Sequence, residues 1–175
     1  MKPLSKVFIE EDFFPVSIYN EIVQQMISVE YFPPSKDRIK DHNGSYWHEH
    51  ILSNNSDVEN KVKELIQKKF NFNISKFIQS TYTMVGASDM PRPHTDLKSG
   101  ATHQCLIYMH GEESTNNGTG FYHKKNNEEL ELSVHVGFKQ NRAILFRSKL
   151  WHGSLQPIQK DVSSWRYTFN SFISK

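Results

Sequence analysis

The sequence predicts a mostly β domain with helices packed on its outside, a sandwich or barrel, and three observations carry that expectation. Two stretches of helical period stand in the first 73 residues, and the rest of the chain changes to short segments of period two separated by polar turns. Aromatic content is high at 13%, with 12 Phe, 7 Tyr and 3 Trp, which suits the surfaces of sheets. At 175 residues the chain is long enough for one unit with a real core and short for two. A single domain over 1–175 is therefore expected, with helical support in 1–73 and a β core in 74–173.

The elements follow in order. Val7 to Pro15 is an extended apolar segment stopped by a proline. Ser17 is placed to cap a helix whose stripe is Ile18, Ile22 and Met26 with Tyr19, Val23 and Ile27. Residues 31–50 contain Pro33-Pro34, Asn43-Gly44 and many charges without periodicity, and read as a long loop. Such a loop is either a substrate lid or merely mobile; as a lid it would offer Tyr46, Trp47 and His48. Ser56 to Glu59 is a capping box, and Val58, Val62, Leu65, Ile66 and Phe70 continue a second helix to Asn71. Ile74 to Val85 is a strand with Ile78, Ser80, Tyr82 and Met84 on one face, and 86–93 is a connection. Strands are expected at Thr102–Met109, from Gly118 to Tyr122, at Glu129–Val136, Arg142–Arg147 and Trp165–Ile173, with a polar loop from His110 to Asn117.

Composition excludes several function classes. A net charge of +2 and pI near 8.6 are too mild to argue for nucleic acid. The one cysteine, Cys105, rules out a disulfide framework and a Cys-rich zinc site; it sits in an apolar run and reads as a small buried hydrophobe. The N-terminal segment is charged within its only apolar patch, so neither a signal peptide nor a membrane span is expected, and the cytoplasm is the natural compartment.

Chemistry centres on Pro91-Arg92-Pro93-His94-Thr95-Asp96 and on Trp151-His152-Gly153 far downstream. A histidine and a carboxylate two positions apart lie on the same side of an extended chain, which makes half a metal site. A second histidine, His152, would complete a 2-His-1-carboxylate triad that leaves coordination positions open. Two rivals share the residue types: His110-Gly111-Glu112 and His48-Glu49-His50. His42, His103, His123 and His135 read as solvated or packing residues.

The order of these pieces resembles the 2-oxoglutarate- and Fe(II)-dependent oxygenases, in their prolyl 4-hydroxylase-like branch. A tyrosine-bearing strand, His94-x-Asp96, a strand ending in Ile107-Tyr108, Gly118-Thr119-Gly120-Phe121, Phe146-x-Ser148 leading to His152-Gly153, and a last strand carrying an arginine follow one another as in that family. The resemblance implies a double-stranded β-helix, the cupin-like jelly roll, with N-terminal helices packed on one sheet. It implies Fe(II) on His94, Asp96 and His152. It further implies 2-oxoglutarate with its far carboxylate on Arg166, helped by Thr168 and Tyr108, and Tyr82 near the end bound to iron. O2 is the other co-substrate, and ascorbate is a candidate reductant. The implied reaction decarboxylates 2-oxoglutarate to succinate and hydroxylates an unactivated C–H bond of a peptide, protein or small-molecule substrate, with a prolyl side chain first and a free amino acid next.

Two departures bear on this. His110 stands where the branch usually has asparagine. Arg166 follows His152 by 14 positions, a longer interval than usual, which implies a looped excursion over 156–164. A one-residue slip there would turn Arg166 outward and leave Arg147 in its place. Two readings from other classes are a cupin-like metal enzyme without 2-oxoglutarate and an inactive jelly-roll binding module. Nothing in the sequence speaks to oligomeric state.

Overall fold

Both helices form where the apolar stripes lie, but their starts are set differently. The computed structural model describes residues 7–32, 47–54, 56–85, 93–96, 100–125, 129–155 and 165–175. Helix α1 spans Val16–Ser28, and Pro15, not Ser17, occupies the capping position without any side-chain cap. The proline ring presets the extended φ of −54° needed there, and the Pro15 carbonyl accepts from Tyr19 N at 2.9 Å to close the first turn, so Ser17 falls inside the helix. Helix α2, Asp57–Phe70, begins as the capping box dictates, with Ser56 Oγ accepting from Glu59 N at 3.2 Å. Acidic residues in its first turn and Lys68 and Lys69 in its last complement the helix dipole, and Asn71 ends it in the left-handed conformation.

The strands are β1 (Phe8–Glu10), β2 (Trp47–Ile51), β3 (Lys76–Val85), β4 (His103–His110), β5 (Ser114–Lys124), β6 (Leu130–Phe138), β7 (Ala143–Arg147), β8 (Trp151–Leu155) and β9 (Arg166–Ser174). They form a six-stranded sheet in the order β1-β7-β4-β9-β3-β2 and a three-stranded sheet in the order β6-β5-β8, with antiparallel pairing throughout. This is the expected jelly roll with helices on one sheet. Two segments read as loop are strands. Residues 47–51 pair with β3, and Ser114 to Asn117 open β5. Both are mostly polar, and an edge strand or one of irregular register leaves little hydrophobic period to read. The N-terminal 73 residues thus supply two edge strands, β1 and β2, as well as helices. The remainder of the 31–50 loop, including Tyr46, and the 156–164 excursion lie outside the described residues.

The larger sheet is buried on both faces. In β4 every residue from Gln104 to Met109 is buried. Cys105, Ile107 and Met109 pack with Leu145, Phe169 and Ile173 against Ile22, Met26, Val62 and Ile66 of the helices. Leu106 and Tyr108 point the other way, into a second core with Phe121, Val136, Ile144 and Phe146 between the two sheets. Residue parity therefore decides whether a side chain supports the fold or faces the interior between the sheets. Cys105 lies on the helix side, and burial pushes its thiol well above the usual range, as befits an inert hydrophobe. No helix among the described residues is long and apolar enough to cross a membrane.

Candidate metal centre

His152 faces the interior because β8 alternates, and it carries the site with it. The backbone of His94 bridges that of His152 in both directions, His94 N to His152 O at 2.8 Å and His152 N to His94 O at 2.9 Å. Asp96 N donates to Ser148 O at 2.9 Å, so residues 93–96 are held along the start of β8 and the turn before it. One ligand atom from each of His94, Asp96 and His152 lies within 4.8 Å of the others. His152 Nε2 is 3.1 Å from Asp96 Oδ2, and His94 Nε2 is 3.9 Å from Asp96 Oδ1.

The His152 ring is oriented from behind. Its Nδ1 lies 2.8 Å from the Leu150 carbonyl, a pure acceptor, so Nδ1 carries a hydrogen and Nε2 is the ring atom turned toward Asp96. Phe146 meets the ring edge-on at 4.8 Å between centroids. Exposure of the side chains rises from 7% at His152 through 18% at Asp96 to 37% at His94, so the cluster opens to solvent on the His94 side.

A second group occupies the same interior. Arg166, at the start of β9, is 3% exposed. Its Nη1 donates to Asn117 Oδ1 and to Gly118 O, each at 2.7 Å, and its Nη2 donates to Ser154 Oγ. Its Nε is buried without a hydrogen-bond partner. Each of these acceptors is neutral, and among the described residues no carboxylate pairs with the guanidinium. Burial pulls its pKa down to about 10, partly offset by Tyr108, so it is a cation at neutral pH. Ser154 is two residues from His152 on the same strand and face. One strand therefore carries both a histidine of the cluster and a hydroxyl that holds the cation, about 7 Å apart along its axis.

Thr168 lies on the same face of β9 as Arg166 and opposite both Tyr108 and Thr83 in the sheet; Asn170 Nδ2 donates to Thr83 Oγ1 at 2.9 Å and to Thr168 Oγ1 at 3.3 Å. Tyr108 is fully buried between the sheets. Its hydroxyl contacts Thr119 Oγ1 at 2.8 Å and the Val136 carbonyl at 3.1 Å, and its ring lies 5.9 Å from the Arg166 guanidinium carbon. Tyr82 does not join them. It sits in the helix-side core, with its hydroxyl donating to Gln25 Oε1 at 3.3 Å and its ring between His50 and Phe169. Tyr82 pairs with Phe169, a helix-side residue, so parity turns it away from the interior and presents Thr83 instead.

The rivals are dispersed. His48 and His50 lie on edge strand β2, against Trp165 and Tyr82, and His110 lies beside Tyr167; among the described residues His94, Asp96 and His152 make the one three-ligand group. Arg147 is exposed at the end of β7, opposite His103. The sequence reading missed Asn117, Ser154 and Thr119, which surround Arg166 and Tyr108. Of these, only the Gly118-Thr119-Gly120 run was a signal.

The two sheets and their helices define the fold of the 2-oxoglutarate- and Fe(II)-dependent oxygenases, with prolyl hydroxylases among the similar structures. The prolyl-4-hydroxylase of Pseudomonas putida superposes with a TM-score of 0.62 over 98% of this chain and 94% of that one, at 9% identity. The prolyl hydroxylase of Trichoplax adhaerens, solved with a hypoxia inducible factor peptide fragment, gives 0.65 over 98% and 84%, at 15% identity. HygX of Streptomyces hygroscopicus, solved with nickel and 2-oxoglutarate bound, gives 0.67 over 95% and 82%, at 11% identity. At these identities the likeness is one of fold. No family model and no curated protein matches the sequence.

Proposed function

We propose that this chain is a single-domain Fe(II)- and 2-oxoglutarate-dependent dioxygenase that hydroxylates an unactivated C–H bond of a peptidyl or amino-acid substrate. The observation that carries the reading is the pairing, in one interior, of a His-Asp-His cluster with a buried arginine whose partners are all neutral. Two imidazole nitrogens and a carboxylate oxygen suit Fe(II), and three protein ligands leave positions open. The orphaned Nε of Arg166 suits a carboxylate, because a planar guanidinium binds that group through two parallel N–H donors.

In this reading His94, Asp96 and His152 hold the metal, and the Leu150 carbonyl keeps the His152 ring aimed. Arg166 binds the far carboxylate of 2-oxoglutarate, and Thr168, on the same face, adds a hydroxyl. Tyr108 walls the pocket with its ring and supports Thr119, because its hydroxyl is already engaged. Phe121 and Phe146 line the inner side of His152 and exclude water from it. When bound, iron and 2-oxoglutarate supply, with O2, the oxidising equivalent for hydroxylation as the co-substrate is decarboxylated to succinate. A peptidyl substrate is the first choice because the Trichoplax structure holds a peptide and the cluster opens outward at His94.

Anaerobic addition of Fe(II) and 2-oxoglutarate tests the reading. A weak visible absorption band that requires both, is absent from Asp96→Ala, and accompanies succinate release once O2 is admitted is the expected result. A response to metal alone would favour a cupin-like enzyme, and none at all an inactive module; either would overturn the proposal.

A further inference from the structure

We propose that Asn117 is a positioning residue that holds the Arg166 guanidinium in place without neutralising it, leaving the cation's charge for an incoming carboxylate. The proposal deepens the reading of Arg166 as the anchor of 2-oxoglutarate and rests on it. Asn117 is 4% exposed, and its Oδ1 accepts from Arg166 Nη1 at 2.7 Å. It reaches the interior through an irregularity in β5: the register against β6 shifts between Ser114, opposite Phe138, and Gly118, opposite Gly137. The residues between are released from pairing, and a bulge of this kind re-aims a side chain. Gly118, whose carbonyl also accepts from Arg166, completes the same cradle.

The chemistry of the side chain is what matters. A buried cation must be held by acceptors, and most buried arginines are held by carboxylates. Here a carboxamide does the holding, with the Gly118 carbonyl and the Ser154 hydroxyl. An aspartate has the same shape as asparagine and would make an equally short contact. It would also give Arg166 a permanent counter-ion and place a negative charge beside the binding position of another. The carboxamide therefore distinguishes a pocket that selects an anion from one that has already satisfied its cation.

Full-length wild type, Asn117→Asp and Asn117→Ser are compared in two measurements. The first is anaerobic calorimetric titration of 2-oxoglutarate in the presence of Mn(II); the second is thermal melting with neither added. Asn117→Asp is expected to weaken 2-oxoglutarate by at least about 30-fold while raising the ligand-free melting midpoint by a few degrees. Asn117→Ser, which keeps a neutral acceptor, is expected to stay within about tenfold of wild type. A loss of affinity accompanied by a lower midpoint would mean ordinary misfolding, and an Asn117→Asp protein that binds 2-oxoglutarate like wild type would mean that charge at this position is irrelevant; either overturns the proposal. If wild type itself takes up no 2-oxoglutarate, the dioxygenase reading falls separately, and melting still decides the local claim: a raised midpoint in Asn117→Asp retains the unneutralised cation, and an unchanged one removes it.

Discussion

Replacing Arg166 by Gln separates what this side chain does for a ligand from what it does for the fold. On the fold side two contributions oppose each other. Removing a buried charge with no counter-ion relieves a desolvation cost of several kcal/mol. It also strips the Asn117 and Gly118 oxygens of a charged donor, at about 1–3 kcal/mol each. The difference should leave stability within about 2 kcal/mol of wild type, or roughly 4–8 °C of melting midpoint at this size. On the ligand side nothing compensates. Taking one partner from a buried charge pair costs about 2–5 kcal/mol, a loss in 2-oxoglutarate affinity of about 30-fold to several thousand-fold. Arg166→Lys keeps the charge but not the planar fork and should fall between. The assay is anaerobic titration of 2-oxoglutarate beside thermal melting of the same preparations. Arg166→Gln that melts normally and binds within about threefold of wild type would refute the reasoning, because the guanidinium could then not face the ligand.

Gly118→Ala should be among the most damaging single-methyl additions. Gly118 has φ +148°, and a Cβ there would lie 2.0 Å from the Val136 carbonyl oxygen. Strain and overpacking together cost about 2–6 kcal/mol, so a melting midpoint unchanged from wild type would show that β5 and β6 do not approach as described. Stability should also decline in alkali. Burial pushes the Tyr19 and Tyr82 hydroxyls up to about 12 in the fold, while in the unfolded chain they ionise near 10. Their contribution is complete below pH 10 and drains away as pH rises from 10 to 12, because only the unfolded chain then releases the protons. Urea midpoints at pH 8, 10 and 11 check this, and Tyr82→Phe should flatten the slope; an identical slope in that variant would contradict the burial of Tyr82.

How far the sequence could be read depended on whether a residue's role leaves a period. The capping box at Ser56 and the stripe Val58, Val62, Ile66 repeat at helical spacing, and α2 is where they place it. His94 and Asp96 are separated by the two positions that put them on one side, and their meeting with His152 follows from the order of elements. The role expected of Tyr82 came from resemblance alone, and the local pattern offered no check on it: Ser80, Thr81, Tyr82 and Thr83 are all buried, so hydrophobicity cannot say which face is which. Asn117 and Ser154 were invisible for a different reason. Each acts through one hydrogen bond to a residue dozens or about a dozen positions away, and an isolated Asn or Ser in a polar stretch looks like any turn. The β2 strand escaped because edge pairing to β3 holds it, and early β5 because its register is irregular there and leaves no clean period.

In the proposed reading β8 acts as a gauge, because it carries both His152 and the Ser154 hydroxyl that holds Arg166. His152 and Ser154 are fixed two positions apart on one face of a single strand, so the spacing between them is set by β8 itself. If the proposed reading holds, a diacid one methylene shorter or longer than 2-oxoglutarate should bind less tightly, because it would meet the His-Asp-His cluster and the guanidinium less well together. Tolerance of ligand length would then be rooted in the sheet.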